Sequence, residues 1–332
     1  MTRFAVFGCG RIGRMHAVNL ARHPRTELVS VFDVAAEAAR QTAEATGAAV
    51  APSIDAILED EAVDAVLIAS STDTHVDLLT RAVKAGKAVL CEKPIDLDLA
   101  RVEACWAEIG GLDPLIMIGF NRRFDPTFRE LKKRLENGAV GKLEQLTITS
   151  RDPGPPPAAY IKVSGGLFRD MTIHDFDLAR YFAGDVAEVQ AAGANLVDPE
   201  IGALGDIDSA MITMRARSGA LIHISNSRRA VYGYDQRIEA FGADGMLQAG
   251  NQRGTSLSFW GEAGTDVRDP VMNFFIERYT PAYVAEIDHF VECVEQGVKP
   301  LAGFREGLEA LRLADAAYES MRTGQTVRLD KA

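Results

Sequence analysis

Gly8-Cys9-Gly10-Arg11-Ile12-Gly13 is the stretch whose reading decides the fold. A short apolar run, residues 3–7, leads into it, and a helical pattern from about Ile12 to Arg22 leads out. Twenty residues after Gly13, Asp33 closes the next apolar run, residues 27–33 (ELVSVFD). Each part suits a dinucleotide-binding turn. Gly8 permits the tight bend, Gly10 lets the backbone approach a pyrophosphate, and Gly13 lets the helix pack on the strand. The helix start at Arg11 and Ile12 supplies amides and partial positive charge. Asp33 is placed to accept hydrogen bonds from the adenosine ribose hydroxyls. Val34, Ala35 and Ala36 follow it, with no Arg or Lys to hold a 2′-phosphate, so NAD is expected rather than NADP.

Outward from that turn, strand and helix patterns alternate. Residues 35–46 read as a helix closed by Gly47, 48–51 as a short strand, and 62–69 (AVDAVLIA) as a strand buried on both faces. A helix from about Asp73, a strand at 88–91, a helix at 97–109 and a strand at 115–120 complete the series. Such alternation implies right-handed crossovers and a doubly wound parallel sheet. The expected first domain is therefore 1–122, an NAD-binding Rossmann domain of α/β class.

After residue 122 the periodicity changes. Alternating runs at 143–150, 209–216, 220–227, 237–240 and 256–260 are separated by turn pairs such as Ser218-Gly219 and Asp244-Gly245. Helical patterns lie at 126–137, 173–182, 282–295 and 307–321. The expectation for 123–332 is one α+β domain with an open antiparallel sheet, binding substrate and carrying the oligomer contacts.

Composition narrows the function. The 332 residues are 47% hydrophobic and 25% charged, which suits soluble globular domains. The net charge of −11 repels phosphate backbones and anionic lipid, so no nucleic-acid or membrane partner is expected. Four scattered cysteines form no Cys-x-x-Cys pair, and no apolar run reaches the ~20 residues of a membrane span. A cytoplasmic protein is expected.

In a doubly wound sheet the ligand lies beyond the carboxyl ends of the strands. Three polar clusters stand there: Ser70 to His75, including Thr72; Glu92-Lys93-Pro94; and Asn121-Arg122-Arg123. Ser70, Thr72, His75, Glu92 and Lys93 are assigned to the cofactor side, although His75 could equally serve its helix start. Lys93 follows an apolar strand, beside Glu92 and Pro94, and is expected to point inward rather than into solvent. The densest chemistry lies in residues 165–181 (GGLFRDMTIHDFDLARY). On one helical turn, Asp170 and His174 would share a face, and a carboxylate beside an imidazole favours a basic, oriented histidine. The alternatives are helix capping by Asp170 or Thr172, or metal ligation. No third nitrogen or sulfur ligand stands at helical spacing, so no metal is expected. Asp175 and Asp177 are assigned to structure or the cavity wall.

The stretches GCGRIGRMHA (8–17), CEKPID (91–96) and GGLFRDMTIHDFDLARY (165–181) resemble the glucose–fructose oxidoreductase and inositol dehydrogenase family, along nearly the whole chain. GFNRRFDP (119–126), TSRDPG (149–154) and SNSRRAVYGYDQR (225–237) resemble its inositol-oxidising branch. The resemblance implies NAD-dependent oxidation of a secondary hydroxyl of myo-inositol, in inositol catabolism, by tetramers packed through their sheets. Another cyclic polyol or a sugar, and a non-catalytic NAD-binding regulator, are the alternatives. Lys93, Asp170 and His174 match the family's catalytic lysine, aspartate and histidine. Asn121, Arg122, Asp152 and one tyrosine of the pair Tyr232 and Tyr234, taken as Tyr234, fall on the substrate side together with the catalytic three. Some inositol dehydrogenases carry methionine in place of Asn121 and histidine in place of Ser150.

Overall fold

The computed structural model describes residues 1–329. Two compact units divide the chain, Met1–Phe124 with Ala282–Leu311, and Asp125–Pro281 with the segment from Arg312 onward.

The first unit follows the alternation of its sequence: β1 (Thr2–Phe7), α1 (Arg11–Arg22), β2 (Thr26–Phe32), α2 (Ala36–Thr46), β3 (Ala49–Val50), α3 (Ile54–Leu58), β4 (Ala65–Ile68), α4 (His75–Lys84), β5 (Ala88–Cys91), α5 (Leu99–Ile109) and β6 (Ile116–Ile118). The strands form one sheet in the order β3-β2-β1-β4-β5-β6, every pair parallel. All four residues of β4 are fully buried, as two covered faces require. The order reverses between β1 and β4, so the turn after β1 and the loop after β4 flank the switch point where such sheets bind ligands.

Residues 282–311 were expected in the second domain, but they pack into the first. The Phe290 ring stands 5.9 Å from Phe4, Trp106 stacks on Phe304 at 4.8 Å, and the Ile118 amide donates to the Ala302 carbonyl at 2.8 Å. β6 is an edge strand whose free backbone groups need a cover, and this segment supplies it.

The second unit contains α6 (Pro126–Glu136), β7 (Leu143–Arg151), α7 (Ala158–Ser164), α8 (Gly166–Asp170), α9 (Ile173–Ala183), β8 (Val186–Ala194), α10 (Pro199–Ala203), β9 (Ser209–Ala216), β10 (Leu221–Ser227), β11 (Asp235–Gly242), β12 (Gly245–Ala249) and the hairpin β13 (Ser258–Gly261) with β14 (Gly264–Arg268). Two long helices follow, α11 (Phe275–Gln296) and α12 (Phe304–Thr323), each divided between the units, and then β15 (Val327–Arg328).

The large sheet runs β12-β11-β7-β10-β9-β8-β15. It was expected to be antiparallel and is mixed, because β10 pairs with β7 in parallel while its other pairs are antiparallel. The cause is connectivity. Four helices and two strands intervene between β7 and β10, so no hairpin joins them. β8 escaped the sequence reading because its alanines carry little strand preference. In β9, Ala210, Ile212, Met214 and Ala216 are buried while Met211 on the other face is exposed, which puts the core on one side of the sheet.

Candidate active site

The turn after β1 is built by sterics. Gly8 adopts φ +94°, and a Cβ there would lie 2.5 Å from the Ala69 carbonyl oxygen and the Ser70 amide. A Cβ on Gly13 would collide with the Gly8 carbonyl, so α1 leans on the turn only without a side chain. Gly10 differs: a Cβ there would meet nothing within 4 Å. Gly10 is also the N-cap of α1, with no capping side chain, so the first amides of the helix remain for a ligand. Asp33, half-buried, is set by the backbone. Its Oδ2 accepts from the Cys9 amide at 2.6 Å and its Oδ1 from the Ala35 amide at 2.7 Å. An open cradle before a helix N-terminus, with a fixed carboxylate at the end of β2, fits a dinucleotide.

The other strand ends of this unit carry the remaining first-domain residues. Ser70 Oγ lies 2.7 Å from Thr74 Oγ1, and Thr72 opens the 3-10 turn Thr72–Thr74. His75 is buried, with Nδ1 2.8 Å from the Pro94 carbonyl and Nε2 3.1 Å from the Ser70 carbonyl. Both ring nitrogens therefore bind main chain, and His75 ties the loop after β4 to the segment after β5. The sequence left cofactor contact and a role at the helix start as equal alternatives for His75, and this tie is what the structure adds. Lys93 is half-buried beside it, and the Lys93–Pro94 peptide is cis. Asn121 and Arg122 are buried in the 3-10 turn Asn121–Phe124, at 2% and 4% exposure.

One feature of this unit was missed in the sequence. His16, 1% exposed, places Nε2 2.8 Å from Glu92 Oε1, while Glu92 Oε2 accepts the Lys93 amide at 3.2 Å. The His16 ring meets Tyr283 edge-on at 5.4 Å. Glu286, fully buried, has no hydrogen-bond partner for either carboxyl oxygen among the described residues. Burial, and after it the charge of Glu92, push its carboxyl well above the usual carboxylate range. A histidine inside the glycine-rich stretch and a glutamate on an apolar helix face were the available signals.

In the second unit, Asp170 and His174 do not share one helix. Asp170 ends α8, Met171 and Thr172 form a turn, and His174 stands in the first turn of α9. The left-handed glycines Gly165 and Gly166 start this short broken segment. Thr172 holds the N-cap position of α9 without a capping bond from its side chain; its hydroxyl donates instead to Asn226 Oδ1 at 2.8 Å. The Asp170 carboxylate accepts from the Tyr160 hydroxyl at 2.8 Å and from Arg228 at 3.1 Å. Asp152, the first residue past β7, lies 3.7 Å from the same guanidinium.

The buried face of the large sheet turns polar at one register. Ser150 pairs with Asn226 on one side and Gln236 on the other. Asn226 Nδ2 donates to Asp175 at 2.8 Å, and the Gln236 side chain exchanges hydrogen bonds with Ser150 at 2.9 to 3.1 Å. Asp175 and Asp177 are both buried. Tyr232 and Tyr234 have different surroundings. Gly233 at φ +122° breaks the extended run, leaving Tyr234 buried against Tyr279 and Tyr232 about half exposed. Among the described residues no three His, Cys, Asp or Glu side chains group as a metal site.

Residues 2–120 match the model of an oxidoreductase family with an NAD-binding Rossmann fold, and residues 128–248 match the GFO/IDH/MocA C-terminal domain. The chain is 48% identical to the inositol 2-dehydrogenase of Rhizobium meliloti, covering 96% of each chain. A crystal structure of a myo-inositol dehydrogenase from Corynebacterium glutamicum superposes with a TM-score of 0.97 at 48% identity, covering all of both chains. A scyllo-inositol dehydrogenase from Lactobacillus casei, solved with NAD(H) and scyllo-inositol, superposes with a TM-score of 0.91 at 27% identity over 99% of each chain.

Proposed function

The chain belongs to the GFO/IDH/MocA family of NAD-binding oxidoreductases, and on that premise we propose that it oxidises a secondary hydroxyl of myo-inositol to the ketone, in the catabolic direction. The observation that carries this reading is the presence of Lys93, Asp170 and His174 together in a chain that matches an inositol 2-dehydrogenase along 96% of its length.

Bound NAD supplies the acceptor for the hydride. The Gly8–Gly13 turn and the first amides of α1 hold its pyrophosphate, Asp33 its adenosine ribose, and Ser70, Thr72 and Glu92 line its path. His174 takes the proton of the reacting hydroxyl, and Asp170 keeps the imidazole oriented and basic. The Lys93 ammonium stabilises the negative charge that grows on the substrate oxygen. Asn121, Arg122, Asp152 and Tyr234 bind the remaining hydroxyls. A ring with one hydroxyl inverted leaves a polar group unpaired, and that penalty supplies isomer selectivity.

The outer face of the large sheet supports self-association. Met211, Leu221, Phe241 and Met246 are exposed on its strands, more apolar surface than a lone sheet face needs. We read it as the contact of a homotetramer. Four buried, unpaired cysteines suit a reducing cytoplasm, and among the described residues no helix is long and apolar enough to cross a membrane.

The test is a matrix of NAD and NADP against myo-, scyllo- and chiro-inositol and common pyranoses, followed at the absorbance of the reduced nicotinamide. The fastest reduction is expected with NAD and myo-inositol. Protein that binds NAD yet reduces it with no polyol overturns the reading in favour of a regulator.

A further inference from the structure

Arg228 stands one residue past β10, inside a motif that the reaction has so far left unused. It is 1% exposed, among the largest fully buried side chains of the protein. Its Nη2 donates to Asp170 Oδ2 at 3.1 Å, and its Nη1 lies 3.7 Å from Asp152 Oδ2. Its Nε has no partner among the described residues. The guanidinium is thus located by two carboxylates rather than by main-chain carbonyls. Its own amide is anchored to the Asp208 carbonyl at 2.8 Å, and the Asp152 amide donates to the Ser227 carbonyl at 2.9 Å. Burial works against the charge of Arg228, but Asp170 and Asp152 outweigh it and hold the guanidinium above the ordinary arginine value.

A buried guanidinium gains most from carboxylates that match its planar fork, and it resists leaving them. Both acids have other duties in the function proposed above. We infer that Arg228 is a positioning residue for the reaction: its guanidinium fixes the orientation of the Asp170 carboxylate and ties it to Asp152, so that the ends of β7, β10 and α8 keep one register. This rests on the dehydrogenase reading for the consequence on turnover, although not for the clamp itself. Tyr160, through its hydroxyl, completes the hold on Asp170 from α7.

The consequence is electrostatic as well as geometric. Arg228 and the Tyr160 hydroxyl bind Asp170 directly, Asp152 and Asp206 act on the same guanidinium, and His174 follows Asp170 by four residues. Arg228 places a cation 3.1 Å from the Asp170 carboxylate. Its removal takes that positive charge away from Asp170 and so shifts the carboxyl toward its protonated form.

The experiment compares full-length wild type, Arg228→Met and Arg228→Lys. It measures kcat and KM for myo-inositol with NAD, the acidic limb of kcat/KM against pH, and NAD affinity. A second readout does not need activity: the Asp170 carboxyl is titrated by carbon-13 NMR of aspartate-labelled protein, its resonance identified by its loss in Asp170→Asn. In Arg228→Met, kcat is expected to fall on the order of 100-fold, as a misplaced catalytic group does. NAD affinity holds within about threefold, within ordinary binding error. The Asp170 midpoint and the acidic limb move up by about one pH unit or more. Arg228→Lys, the variant that keeps the charge, returns the midpoint toward wild type while kcat stays roughly tenfold low, because an ammonium cannot span both carboxylates. An Asp170 midpoint and acidic limb unchanged in Arg228→Met overturn the inference. Should that variant fail to fold, wild-type kcat in Arg228→Lys overturns it equally. A wild type inert to every polyol, with the Asp170 midpoint still displaced in Arg228→Met, contradicts the dehydrogenase reading and leaves the clamp standing.

Discussion

His16 and Glu92 are joined at 2.8 Å, Nε2 to Oε1, and the second oxygen of that carboxylate holds the Lys93 amide. A buried imidazole from α1 thereby braces the residue that precedes the lysine assigned to the reaction. Glu92→Gln keeps the shape but removes the charge that pairs with His16. We expect kcat with NAD and myo-inositol to fall roughly tenfold, with thermal stability little changed, because a small displacement of a catalytic group is costly. Steady-state kinetics beside a melting curve checks this. Unaltered kcat would place the pair in the structural frame alone.

Glu286 gives a prediction about pH and stability. Its carboxyl is held well above the usual range in the folded protein, so the folded state binds more protons than the unfolded one across the interval between the two values. Stability contributed at this position is full below the unfolded value and declines as pH rises toward the folded one. Glu286→Gln removes that decline. The variant should gain on wild type by up to about 1.4 kcal/mol per pH unit above pH 5. Urea unfolding at pH 5, 7 and 9 measures the gap; a gap that stays constant contradicts the buried neutral acid.

The two glycines of the turn that flank Arg11 and Ile12 should fail differently. Gly13→Ala forces a methyl into the Gly8 carbonyl, and overpacking of that kind costs typically 1–3 kcal/mol, about a 5 °C fall in melting temperature or more. Gly10→Ala meets no protein atom within 4 Å and should melt like wild type. Its methyl instead enters the space left for the cofactor, and the Kd for NAD should rise on the order of 100-fold, the loss of about 3 kcal/mol. Calorimetry of both variants separates the two effects. Normal NAD affinity in Gly10→Ala would mean that the dinucleotide does not use this cradle.

Charge on the exposed sheet face tests the assembly. Met211→Lys with Phe241→Lys, both at exposed positions of β9 and β11, should leave the fold intact while dividing the oligomer, since like charges desolvated without partners oppose association. Light scattering after gel filtration reads the mass. An unchanged mass places the contact elsewhere.

The first unit was legible in its sequence because each of its signals is local. Gly8, Gly13 and Asp33 work through neighbours in the turn, and the apolar run that became β4 announces burial on both faces. The second unit was less so. The parallel pairing of β10 with β7 depends on connections that span four helices and two further strands, which no run of alternating residues encodes. The spacing of Asp170 and His174 suggested one helical turn, whereas the positive-φ glycines Gly165 and Gly166 precede a break between two helices. Arg228 and Glu286 were invisible for a related reason. Nothing in the sequence around a charged residue tells whether it is solvated or buried against acids contributed by distant strands and helices.

The central claim concerns Lys93 and His174, and single-turnover oxidation of myo-inositol by wild type, Lys93→Ala and His174→Ala, each with NAD affinity measured in parallel, tests it most directly. Both variants should bind NAD within about threefold of wild type and lose about 10²- to 10⁴-fold in rate, the usual contribution of a proton-transferring or charge-stabilising group. If both turn over at the wild-type rate with cofactor bound, neither residue performs the chemistry assigned to it.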